Sequence, residues 1–220
     1  MYCRREAQAL LEAQLADLET PRGLVYGAVA VALHELRGVD PAAVDRLLQE
    51  IADDVRARVP SGQPKALLAH AHEHLFDRLG FQGNEAEYYD PQNSYLPVVL
   101  ATRRGLPITL SLVYADVLRR LGFMVEGVNA PGHFLARIHC EGDTLLVDAF
   151  HRGRVLSENE ALERIAQNLG GGTPRSSTLL AAATHRQWLK RMIRNLQLVF
   201  EREGRDRDLG AMQELEEVLA

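Results

Sequence analysis

The chain has 220 residues, 46% of them hydrophobic and 25% charged, with a formal net charge of −5. These are ordinary values for a globular protein able to bury a core without disulfides or metals. The acidic balance and the lack of a basic stripe argue against nucleic acid as a partner.

The two cysteines, Cys3 and Cys140, make no disulfide framework, which fits a reducing compartment and a cytoplasmic protein. The first residues, MYCRREAQALLEAQLADLE, lack the apolar stretch of a signal peptide. No run approaches ~18 consecutive apolar residues, so no membrane span is expected.

The first sixty residues read as helical. Thr20-Pro21 and Asp40-Pro41 each look like an N-cap followed by proline at the first helical position. Val44, Leu47, Leu48, Ile51 and Val55 keep the helical period until Pro60-Ser61-Gly62. Another helix is expected from Pro64 to Leu79. Within it His70 and His74 fall four apart, but no third ligand accompanies them and metal binding is not expected.

Gly80 to Pro97 is rich in Gly, Asn, Asp, Pro and Tyr, and loops this long are usually functional or tightly self-packed. A short helix over 98–104 is expected next. Gly105-Leu-Pro-Ile-Thr then opens the strongest helix, running to Leu121 and stopped by Gly122. From Phe123 the period becomes two, predicting strands near 124–129, 133–140 and 143–150 with Glu141-Gly142 as a hairpin turn. Helices followed by an antiparallel sheet make an α+β fold. Ser157 to Leu169 is helical, GGGTPRSS is a break, and helices over 184–203 and 208–219 form a terminal hairpin of the size of one tetratricopeptide repeat. Trp188 is expected to anchor it. The divisions expected are 1–78, 79–170 and 171–220.

Pairing Cys140 with Asp143 around the turn places Asp148 opposite Leu135. His133, two residues before Leu135, then becomes a diagonal neighbour of Asp148, roughly 5–8 Å away by backbone. A carboxylate there can orient an imidazole and stabilise its cation, and a buried Asp needs such a partner. A one-residue slip would separate them. Asn84, Asn93 and Ser94 are turn formers that could also line a cleft at the helix start. Tyr88, Tyr89 and Tyr95 would be its walls, with Arg104, Pro107 and Gly132 alongside. His151 and Arg152 follow closely enough to border the same place.

The tract FQGNEAEYYDPQNSYLPVVLATRRGLPITLSLVYADVLRRLGFMVEGVNAPGHFLARI, with LLVDAFHRGRVLS after it, strongly resembles the SirB family of bacterial proteins. That family belongs to the transglutaminase-like superfamily, which shares a papain-like α+β core. The likeness is dense over about Gly80 to Ser157. In catalytic members a Cys opens the central helix, where the helix N-terminus lowers its pKa. A His exchanges the proton and an Asp holds the His.

By position His133 and Asp148 match the last two, while the Cys position falls on or near Pro107. Cys140 lies seven residues beyond His133, about 23 Å at ~3.3 Å per residue. Thr109 and Ser111 are the only hydroxyls near the helix start that could substitute. The resemblance therefore implies a non-catalytic module holding a protein or peptide, with no cofactor. The alternative is a hydrolase or acyltransferase using Ser111 or Thr109 with His133 and Asp148. A structural relic is the third reading.

Overall fold

The structure, a computed structural model, describes residues 2–168, 170 and 176–220. Helix α1 covers Arg5–Gln14, α2 Pro21–Ala32 and α3 Pro41–Arg58. The two Pro-led starts are capped as their sequence suggests. Gly23 N–H donates to Thr20 Oγ1 at 3.0 Å and Ala42 N–H to Asp40 Oδ1 at 2.9 Å.

Helix α4, Pro64–His72, widens into a π-helical turn over Glu73–Arg78. The wider turn breaks the four-residue spacing of the histidines. His74 is buried beside Asp54 at 3.8 Å, whereas the partly exposed His70 lies 3.5 Å from Glu73. The two do not converge.

The Tyr-rich loop is tightly tied. Strand β1, Gln82–Gly83, pairs in parallel with β2, Arg104–Gly105, and a 3₁₀ turn covers Pro91–Ser94. Helix α5 spans Leu96–Thr102, earlier than the expected 98–104, because Arg103 takes a left-handed conformation with φ 63°. Helix α6, Pro107–Arg120, is the central helix and is buried almost along its whole length. Gly122, φ 97°, ends it as expected.

Strands β3 (Met124–Val128), β4 (Leu135–Cys140), β5 (Asp143–Asp148), β6 (Arg154–Leu156) and β7 (Ala182–Ala183) form one antiparallel sheet in the order β6-β5-β4-β3-β7. Two of these strands went unread because two or three residues cannot display a period of two. Glu141 and Gly142, φ 50° and 89°, make the tight turn, and Cys140 pairs with Asp143.

Helix α7 (Glu158–Asn168) packs on one sheet face through Ala161, Leu162 and Ile165 against Leu135, Leu146 and Leu156. The other face, with Ala136, Ile138 and Val147, joins a core that also takes in side chains from α1 to α6 and from the final helices. Those are α8, His185–Arg202, and α9, Asp206–Val218. Trp188 of α8 is fully buried, 4.6 Å from the Phe134 ring by centroid. Gly127 permits this, since a Cβ there would lie 2.3 Å from the indole. The α8–α9 turn is fastened to the rest by ions. Asp208 contacts His34 at 2.7 Å and Arg205 at 2.7 Å, while Glu35 accepts from Tyr95 at 2.6 Å and binds Arg205. Most of the expected flexible GGGTPRSS break lies outside the described residues.

Candidate functional site

Three elements converge on Asp148 at the end of β5. The hairpin register Ala136–Val147 carries Asp148 to the position opposite Leu135. His133 precedes β4 rather than lying on it. The segment turns back so that His133 N–H donates to the Ala130 carbonyl at 3.1 Å, with Gly132 at φ 70°. The His133 Nε2 atom sits 2.9 Å from Asp148 Oδ2, off the line of a well-formed hydrogen bond.

His151, three residues on, brings Nδ1 to 2.9 Å of the same oxygen, and its backbone N–H donates to Oδ1 at 3.3 Å. Arg164, from α7, donates to Oδ2 at 2.7 Å. Asp148 shares a sheet face with Leu146, the face that α7 covers, so an arginine on α7 can reach it.

Asp148 is completely buried. Burial alone would raise its pKa. The close approach and charge of His133, followed by the bond and charge of His151, outweigh that and bring it down to about 2. The site is therefore a carboxylate clamped by two imidazoles and a guanidinium. His133 packs edge-on to Phe150 at 6.4 Å and stands 6.0 Å from His151.

The nearest atoms of His133, Asp148 and His151 lie within 4.8 Å of one another, which is compact enough for a cation. Arg164 already places a positive charge on the shared oxygen, so the donor set is poorly suited to one.

At the tip of α6, Pro107 and Ile108 are buried. Trp188 Nε1 donates to the Ile108 carbonyl at 3.2 Å, so the indole backs the tip. Thr109 is fully buried and its hydroxyl has no partner among the described residues. Ser111 is fully buried too, its Oγ 3.5 Å from the Phe134 carbonyl. Neither hydroxyl bonds His133 among the described residues.

Cys3 and Cys140 are buried elsewhere, and burial raises both thiol pKa values. Cys3, also beside Glu214, reaches about 11.

The remaining candidates divide. Tyr89 and Gly132 line a groove of about 620 Å³ that runs from the α6 start along α8. Asn84, Asn93, Ser94, Arg104 and Pro107 are not among its lining residues. Asn93 is buried, donates to the Glu87 carbonyl at 2.6 Å and accepts from Asn84 at 3.0 Å, and its own carbonyl takes Leu106 N–H at 3.1 Å. Ser94 is buried beside it, and Arg104 donates to the Gly80 carbonyl at 3.1 Å. These residues build the loop and fix it to the start of α6. Arg164 and the α8 side chains of the groove were not anticipated. Nothing local in the sequence links Arg164 to Asp148 sixteen positions earlier.

A helical core around a buried central helix, with a His-Asp pair at the open end of an antiparallel hairpin, defines a transglutaminase-like domain. The chain belongs to the transglutaminase-like superfamily, whose family model matches residues 42–194, from within α3 to within α8. A UPF0162 protein of Xylella fastidiosa (strain 9a5c) is 38% identical over 186 residues, covering 83% of this chain and 66% of the relative. A second, from strain Temecula1, is 39% identical and is covered to 64%, so the chain spans just under two thirds of these relatives. Human F-box only protein 21 is 36% identical over 141 residues, which are 60% of this chain and 21% of that protein. No solved structure matches. No helix among the described residues is long and apolar enough to cross a membrane.

Proposed function

We propose that this is a SirB-type, non-catalytic member of the superfamily, a cytoplasmic module that binds a protein or peptide segment. The observation that carries the reading is the tip of α6. It presents no sulfur, and its two hydroxyls, Thr109 and Ser111, are fully buried and unbonded to His133. A nucleophile must be within reach of its base and of a substrate, and burial without a bond to His133 speaks against both.

On this reading the His133–Asp148 pair has a structural role. It fastens the approach to β4, the end of β5 and α7 around one buried charge. The terminal helices form a tetratricopeptide-like hairpin whose first helix walls the groove. A modular role is supported by the occurrence of the domain as about a fifth of F-box only protein 21.

The test is turnover of a broad amide and ester library by the full chain, with His133→Ala as control. No His133-dependent turnover is expected. Turnover that disappears in the variant would overturn the reading in favour of a hydrolase or acyltransferase using Ser111 or Thr109.

A further inference from the structure

The chain is acidic overall, at −5, yet the groove between α8 and the Tyr88–Tyr89 tip has no Asp or Glu among its lining residues. Its α8 wall carries Lys190, Arg191 and Arg194. Arg194 is neutralised by Glu216 at 2.7 Å. Among the described residues Arg191 is held by neutral acceptors, the Asn129 side chain and the Ala130 carbonyl at 2.6 Å, with its guanidinium 5.8 Å from the Phe134 ring centre. Among the described residues no carboxylate forms an ion pair with Arg191 or Lys190. Glu216, which lies near Lys190, is already bonded to Arg194 and Gln197.

A half-buried guanidinium without a counter-charge is a strong site for a carboxylate, because charge-assisted bonds gain strength where water is thinned out. The rims are apolar. Tyr89 and Leu198 are 58% and 66% exposed, far more than large apolar side chains usually are.

We propose that this groove binds an extended peptide segment bearing an acidic side chain flanked by apolar residues. Arg191 and Lys190 take the carboxylate, and Tyr89 and Leu198 cover the neighbouring side chains. The proposal rests on the peptide-binding reading above and adds its specificity. The volume of about 620 Å³ suits a few side chains rather than a domain surface. A cationic wall confined to one side of one groove does not track a phosphate backbone, which needs a basic stripe.

The experiment is an array of nonapeptides, acetylated and amidated so that no terminal carboxylate remains, probed with the full chain at physiological salt. The peptides retained should carry Asp or Glu next to Leu, Ile or Phe. In fluorescence anisotropy, replacing that Glu by Gln in the peptide, or Lys190→Glu in the protein, should each weaken binding about tenfold or more. Leu198→Asp, a second surface change, should weaken it as well. Retention regardless of charge, or changes within about twofold for Glu→Gln and Lys190→Glu, overturns the specificity and leaves peptide binding standing. An array that retains nothing overturns both.

Discussion

Trp188 Nε1 donates to the carbonyl of Ile108 at 3.2 Å, joining the last helical pair to the tip of the central helix. The indole lies over Gly127 of β3 and against Phe134 just before β4. One side chain thus ties α8 and the sheet to the first turn of α6.

Trp188→Phe removes the bond and part of the volume, leaving the Ile108 carbonyl with its helical partner alone. It should cost about 1–3 kcal/mol. Trp188→Ala leaves a cavity and should cost about 3–5 kcal/mol. Urea unfolding followed by circular dichroism checks both, since Trp188 is the sole tryptophan and fluorescence is lost with it.

The Asp148 clamp makes a pH prediction. Its folded pKa is about 2, against an ordinary 3.8. A depressed carboxylate pKa gives stability that is complete above the ordinary value and fades as pH falls from about 4 towards 2. At ~1.4 kcal/mol per unit the contribution is about 2.5 kcal/mol. Asp148→Asn should flatten that part of the stability curve. At neutral pH it should cost about 3–5 kcal/mol, because the Arg164 guanidinium loses its counter-charge and one carboxylate oxygen becomes a donor. Unfolding midpoints from pH 2 to pH 7 for both proteins decide it.

Thr109 gives a test with the opposite sign. Its hydroxyl is buried without a partner among the described residues, so it carries a desolvation cost that valine of the same shape does not. Thr109→Val should leave stability unchanged or raise it by about 1 kcal/mol. A marked loss, or loss of peptide binding, would mean that the hydroxyl has a role the geometry does not show.

What was legible in the sequence follows the range of the interactions. The caps at Thr20 and Asp40 and the stop at Gly122 depend on neighbouring residues and could be read directly. The His133–Asp148 approach was legible because one two-residue turn fixes the register of everything beyond it. The clamp by Arg164 was not, since it depends on β6 turning back and α7 crossing the sheet face. The groove was hidden for the same reason. It exists only where α8 meets a loop about a hundred positions earlier. The π turn after His72 and the left-handed Arg103 shifted helix faces and ends that ideal periodicity would place elsewhere.

The turn that sets this register can itself be improved. Glu141 is held at φ 50°, a left-handed conformation that costs an ordinary residue about 1–2 kcal/mol. Gly142, φ 89°, bears no such cost. Asparagine tolerates the left-handed region, and Asn-Gly is the favoured pair for this class of hairpin. Among the described residues the carboxylate of Glu141 pairs with Lys65 at 3.9 Å, and an exposed pair at that distance is worth little. Lys65 keeps Asp143 at 3.5 Å in any case. Glu141→Asn should therefore stabilise the protein by about 0.5–1 kcal/mol. Glu141→Ile, with a branched Cβ in the same conformation, should destabilise it by more than that. Urea midpoints of the two variants should move in opposite directions from wild type. A shift of the same sign in both would show that the turn does not set the energy of the β4–β5 pairing on which the position of Asp148 depends.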